Sequence, residues 1–165
     1  MQITENVFTE DVLTKLYDFS RSGRQPTNTN FFNYNANVVG MSNAVFCFDL
    51  EEELKATVFS QLINKKVLPS IPTKSQAYMH LFSRNSFIPW HDDGNYIFTI
   101  TVYLNKEWHI DFGGLFIYEE NNELKCLFPK YNTAVSFVPP IGHTTTTTNI
   151  NASFRESLQI FVKEF

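Results

Sequence analysis

Charge is scarce in this chain. Asp, Glu, Lys and Arg make up only 18% of its 165 residues, and the formal net charge is −4. No run of lysine and arginine occurs, so the basic face of a nucleic-acid binder is missing, which weighs against such a partner. Long apolar runs are missing as well. Nothing approaches the ~18 apolar residues of a membrane-spanning helix, and the opening MQITENVFTEDV lacks the basic-then-apolar order of a signal peptide. Cysteine is limited to Cys47 and Cys126, far apart and each in apolar surroundings. They are expected to be buried free thiols, and no CxxC or Cys/His spacing offers a structural zinc site. These absences imply a cytoplasmic protein with reduced thiols, in which the sequon Asn151-Ala152-Ser153 is incidental.

What the chain has instead is apolar and aromatic mass. Hydrophobic residues make up 43%, and there are 17 phenylalanines. That is enough to bury a sizeable core in a single domain. Two helices are expected in residues 1–70. The first is TEDVLTKLYDFSRSG, with Thr9 as cap, Glu10 and Asp11 in the first turn, and Gly23 at the end. The second is DLEEELKATVFSQLINKK, with Asp49 and Glu52 as a capping pair. Between them lies the Asn-rich stretch RSGRQPTNTNFFNYNANVVG, a surface connection with an edge strand or a substrate-facing flap. From residue 75 onward, short β-rich runs alternate with turn signals: AYMHLF, YIFTITVYL, GGLFIYEE, ELKCLF, TAVSFVPP and SFRESLQIFVKEF. The layout is α+β but mainly β, a sandwich or barrel over 75–165 buttressed by helices and edge strands from 1–70.

Four histidines are present, and one of them stands in IPWHDDGNY. Residues i and i+2 of a strand share a face, so His91 and Asp93 are expected to project together while Asp92 turns away. His-x-Asp alone is weak. A second candidate ligand, His143, follows the Pro-Pro stop in PPIGHTTTTT, and Arg155 and Ser157 share a face in RESLQIF. Two histidines and a carboxylate form the facial set of non-haem Fe(II) oxygenases. An arginine beside a hydroxyl offers a clamp for a carboxylate. In YIFTITVYL one face carries Phe98, Ile100, Val102 and Leu104, and the other Thr99, Thr101 and Tyr103. Such a strand packs on one side and lines a polar cavity on the other. His80 and His109 are expected to be structural or at the surface. Gly113-Gly114 suits a turn or a close strand approach.

The ordered set HDD (91–93), TITVYLN (99–105), WHIDFGGLFIY (108–118), FVPPIGH (137–143) and RESLQIF (155–161) resembles the Fe(II)/2-oxoglutarate-dependent oxygenases, on their prolyl 4-hydroxylase-like branch. The resemblance runs from about residue 76 to 165. It implies a double-stranded β-helix, or jelly roll. It also implies Fe(II) held by His91, Asp93 and His143, and 2-oxoglutarate bound by Arg155 with help from Ser157 and Tyr103. Trp90, Thr101 and Asn95 would belong to the substrate mouth or pocket wall. The implied reaction consumes O2, converts 2-oxoglutarate to succinate and hydroxylates a substrate, with ascorbate as an optional reductant. Charge balance agrees: iron with one carboxylate leaves one positive charge, the co-substrate brings two negative, and Arg155 offsets the remainder in a cavity where an unpaired carboxylate is costly. Many relatives carry a tyrosine one short strand before His-x-Asp. Here Leu81 and Phe82 occupy that zone, with Tyr78 a little earlier.

The substrate implied is a prolyl residue in a protein or peptide, with a free amino acid or other small molecule as the alternative. Rival classes are a non-catalytic jelly-roll binding module, a zinc hydrolase and a nucleic-acid demethylase. The first has no need of all four site residues. The second leaves Arg155 and Tyr103 without a role, and the third is opposed by the acidic charge.

Overall fold

The computed structural model describes residues 1–23, 25, 28–29 and 45–165. The Asn-rich flap or connection lies largely outside these residues; what is described of it includes a two-residue strand. In chain order the elements are β1 (Gln2–Glu5), α1 (Glu10–Ser20), β2 (Asn28–Thr29), β3 (Val45–Asp49), α2 (Glu52–Asn64), β4 (Lys74–Phe82), β5 (Ile88–His91), β6 (Phe98–Tyr103), a short 3-10 turn (Ile110–Phe112), β7 (Phe116–Glu120), β8 (Glu123–Leu127), β9 (Thr133–Phe137), β10 (His143–Thr145) and β11 (Arg155–Glu164). Seven strands form a major sheet in the order β1-β9-β6-β11-β4-β3-β2, and four form a minor sheet, β5-β10-β7-β8. All the pairings are antiparallel.

Period-two alternation decides what each face of the major sheet meets. Ala77 and Met79 of β4, Ile100 and Val102 of β6, and Leu158, Ile160 and Val162 of β11 join Val12, Leu13, Leu16 and Phe19 of α1 and Val58, Phe59 and Leu62 of α2 in the main core. The opposite face looks toward the minor sheet, where Tyr103, Val135 and Phe137 pack with Phe116 and Tyr118. Thr99 and Thr101, on that same face, are buried rather than exposed.

Both helix starts differ from the sequence expectation. Thr9 is the N-cap of α1, but its side chain makes no cap bond. Instead Gln61 of α2 donates to Thr9 Oγ1 (2.8 Å), and Thr9 N donates to Gln61 Oε1 (2.9 Å), so one amide ties the two helices together. Helix α2 begins at Glu52 with Glu51 as cap. Asp49 cannot cap it, because it is the last residue of β3, opposite Tyr78. Cys47 is buried as expected, but Cys126 is exposed on β8, the edge strand of the minor sheet. Among the described residues no helix is long and apolar enough to cross a membrane.

The threonine run has a structural explanation. Thr145 is buried and lines the space between the sheets, on the same face of β10 as His143. The even-numbered threonines bond outward: Thr144 Oγ1 donates to Ile88 O, Thr146 Oγ1 accepts from Leu115 N, and Thr148 Oγ1 donates to Ser83 O. Their hydroxyls tie β10 and the segment after it to β5, to the start of β7 and to the turn after β4.

Candidate metal and oxyanion site

His91 ends β5 and His143 begins β10, and the two are direct cross-strand partners. Their ring centroids lie 4.1 Å apart. Between His143 and Thr145 the pairing slips: two steps on β10 span three on β5, from Ile88 to His91. The extra residue makes a bulge at Pro89-Trp90, tolerable because β5 is an edge strand and proline has no N–H to give the ladder. The bulge lets both Ile88 and His91 line the cavity.

Asp93 reaches the same point by another route than the one expected. The strand stops at His91, and Asp93 belongs to a turn closed by Tyr96 N donating to Asp93 O (2.9 Å). His91 and Asp93 therefore converge through a turn, not through strand alternation. Asp92 does turn away: it is exposed and accepts from Gly94 N (2.9 Å). The Asp93 carboxylate lies 3.7 Å from His91 Nε2 and 3.8 Å from His143 Nε2, and one ligand atom from each of the three residues falls within 4.8 Å of the others.

Both rings are oriented by the same device. His91 Nδ1–H donates to Pro89 O (2.8 Å) and His143 Nδ1–H to Ile141 O (2.7 Å), each the carbonyl two residues earlier. That leaves both Nε2 lone pairs directed at Asp93, the tautomer a metal ligand requires. Burial, with His143 adding to it, lowers the His91 pKa to about 4, so the ring is neutral at physiological pH. Burial holds the Asp93 carboxyl above its usual range, opposed by His143 and by Thr99, whose hydroxyl faces the carboxylate without closing a hydrogen bond. Asp93 Oδ2 is buried with no hydrogen-bond partner among the described residues.

Across the cavity stands β11. Arg155 is only 2% exposed, and its Nε donates to Gly114 O (2.9 Å). Its guanidinium lies over the rings of Phe82 (4.6 Å) and Tyr103 (5.2 Å). Among the described residues no carboxylate pairs with it. Burial lowers its pKa to about 10, with Tyr103 acting in the opposite sense. The Gly-Gly turn makes room for it. Gly113 and Gly114 both have positive φ, and a Cβ on Gly114 would sit 2.6 Å from Arg155 Cδ. Ser157 is buried beside it, opposite Tyr103, whose hydroxyl is buried without a partner among the described residues. Burial pushes the Tyr103 phenol up to about 12, so it remains a donor.

The cavity between triad and arginine is lined by Thr101, Ser157 and, beyond the sequence expectation, by His80, Phe116, Gln159 and Phe161. His80 forms part of the cavity wall, and burial and the nearby Arg155 lower its pKa to about 3. Gln159 and Phe161 continue the alternation that singled out Arg155 and Ser157, so their signal was present in the sequence. Trp90 and Asn95 do not line this cavity. Trp90 is 48% exposed and packs on Gly142, and Asn95 is exposed in the turn after Asp93. His109 is at the surface beside Asp111, away from the triad set.

No family model and no curated protein matches the sequence. Solved structures do match the fold. A prolyl-4-hydroxylase of Pseudomonas putida superposes with a TM-score of 0.73 at 12% identity, over 99% of this chain and 92% of that one. The chain has the fold of the 2-oxoglutarate oxygenases. A prolyl hydroxylase of Trichoplax adhaerens, in complex with a peptide fragment of the hypoxia inducible factor oxygen degradation domain, gives 0.72 at 13% identity, over 99% and 83%. An oxidoreductase of the 2OG-Fe(II) oxygenase family from Burkholderia pseudomallei gives 0.69 at 14%, over 97% and 82%. The expected double-stranded β-helix is thus the fold observed, with α1 and α2 packed on the outer face of its major sheet.

Proposed function

We propose that the chain is an Fe(II)- and 2-oxoglutarate-dependent dioxygenase that hydroxylates a prolyl residue in a protein or peptide. The observation that carries the reading is the pairing of two features across one cavity: two imidazoles that present Nε2 beside a buried carboxylate on one wall, and a buried guanidinium that meets no carboxylate among the described residues on the other. A buried cation is costly unless an anion meets it. The donor set fits iron, since both imidazoles present Nε2 lone pairs beside a carboxylate, leaving other coordination positions open.

His91, Asp93 and His143 would hold the iron, which with 2-oxoglutarate and O2 supplies the oxidising power to place one oxygen atom in a C–H bond and the other in succinate, with release of CO2. The other side chains bind and orient. Arg155 pairs with the far carboxylate of 2-oxoglutarate, and Ser157 and the Tyr103 hydroxyl donate to the same group. The backbone anchors at Pro89 and Ile141 keep the two imidazoles from rotating and hold the proton of each at Nδ1. Phe82, Phe116 and Phe161 keep water from the cavity, which strengthens each of these charge pairings. The bound peptide in the Trichoplax hydroxylase supports a peptide substrate here.

The test is turnover with Fe(II), 2-oxoglutarate, O2 and a panel of proline-containing peptides, reading succinate and the gain of one oxygen at proline. Succinate that rises with a peptide is expected. Coupling to free amino acids but to no peptide would move the substrate to the small-molecule alternative. No succinate from folded, iron-loaded protein with any partner would leave a jelly-roll binding module.

A further inference from the structure

Along the wall formed by β11, Arg155, Ser157 and Gln159 follow one another at every second position and all face the cavity. The register fixes their order relative to the triad. Ser157 is opposite Tyr103, Gln159 opposite Thr101, and Phe161 opposite Thr99. Thr99 is the residue that faces Asp93. Gln159 therefore sits one side-chain layer from the triad and two from Arg155, about 13 Å along the strand from Arg155.

The Gln159 amide is oriented. It is buried, and its Oε1 accepts a 2.6 Å hydrogen bond from Thr101 Oγ1. That bond occupies the acceptor and leaves the two N–H donors of Nε2. Among the described residues no acceptor meets them, and the side chain lines the cavity. Fixed in direction by the bond from Thr101, those donors are offered to an acceptor that enters the cavity. Arg155 marks one end of the cavity for a carboxylate, and Gln159 marks the end beside the triad.

We propose that Gln159, oriented by Thr101, donates a hydrogen bond to the metal-proximal carboxylate of the 2-oxoacid. This rests on the oxygenase reading given above. Gln159 is a ligand-contacting residue, and Thr101 a positioning residue that acts through it. The assignment separates two dicarboxylates. 2-Oxoglutarate has the carboxylate that Gln159 would meet. Succinate, which is left when that carboxylate departs as CO2, can still pair with Arg155, but its second carboxylate is one carbon nearer Arg155 and falls short of the position that Gln159 meets.

The experiment is calorimetric titration of 2-oxoglutarate and of succinate into Mn(II)-loaded protein without oxygen. It compares the native chain with Gln159→Leu, Gln159→Glu, Thr101→Val and the Gln159→Leu/Thr101→Val double variant. Gln159→Leu is expected to weaken 2-oxoglutarate roughly tenfold to a hundredfold, the range for a hydrogen bond to a charged group, and to weaken succinate much less. Gln159→Glu keeps the volume and the bond from Thr101 but sets a charge against the ligand, so it should weaken 2-oxoglutarate further. Thr101→Val should cost less, and nothing more once Gln159 is leucine. Native affinity for 2-oxoglutarate in Gln159→Leu, equal losses for both ligands, or an additive Thr101→Val would each overturn the proposal. A native chain that binds no 2-oxoglutarate would overturn both the proposal and the oxygenase reading beneath it, whereas binding by the native chain with unaffected variants would overturn the proposal alone.

Discussion

The two faces of β11 obey one geometric rule and meet opposite environments. Leu158, Ile160 and Val162 are wholly buried and join the apolar core shared with the helices. Arg155, Ser157 and Gln159 are also buried but face the cavity beside the triad, with a cation that meets no carboxylate among the described residues. The first face stabilises the fold by removing apolar area from water. The second bears the cost of desolvated polar groups, and recovers it only when a ligand completes them. Burial alone therefore does not separate core from site; the partners of the buried atoms do.

That contrast can be broken most severely at the triad. His143→Ala or Asp93→Ala should abolish Fe(II) binding and succinate formation while far-UV circular dichroism shows the native fold. Arg155→Ala should weaken 2-oxoglutarate by about 2–5 kcal/mol, because it leaves a carboxylate without its partner in the cavity. It should not destabilise the ligand-free protein in denaturant as a core truncation does, since it also removes a buried cation that meets no carboxylate among the described residues. Leu158→Ala, one strand face away, should do the reverse. It is expected to cost about 2–5 kcal/mol in a denaturant melt, with native 2-oxoglutarate affinity in the fraction that remains folded.

A smaller effect sharpens the comparison through pH. His80 has its pKa lowered from 6.5 to about 3, chiefly by burial. The unfolded chain therefore binds a proton near pH 6.5 that the folded chain refuses until about pH 3, and folding stability falls as the pH drops through that window. Melting temperatures of the ligand-free protein from pH 7 to pH 4 should fall less steeply in His80→Phe than in the native chain. Parallel curves would mean that His80 does not titrate as its burial requires.

Much of this was legible in sequence because period-two alternation leaves a direct mark. The apolar and hydroxyl faces of β6, and the shared face of Arg155 and Ser157, follow from spacing alone. The order of His91, Asp93, His143 and Arg155 along the chain pointed to one site, and the structure gathers the first three at one point with the arginine across the cavity. What was not legible depends on tertiary pairing. Asp49 has the composition of a helix cap, but β4 claims it for the sheet. Asp93 meets His91 through a turn and a bulge that no local pattern announces. Cys126 sits in an apolar run, yet β8 is a hairpin edge with one face in water. The roles of Gly114 and His80 came from close approach to Arg155, which is 41 residues from the first and 75 from the second in sequence.

The central claim is that triad and arginine serve one ligand. The direct measurement is the affinity of 2-oxoglutarate for the native protein, without oxygen, with and without Fe(II), watched by the visible band of the metal chelate. The account predicts that the band appears on adding both, that iron tightens 2-oxoglutarate binding, and that His91→Ala removes the band while Arg155→Ala demands more 2-oxoglutarate to reach it. Binding of 2-oxoglutarate that is indifferent to iron, or a band untouched by Arg155→Ala, would contradict it.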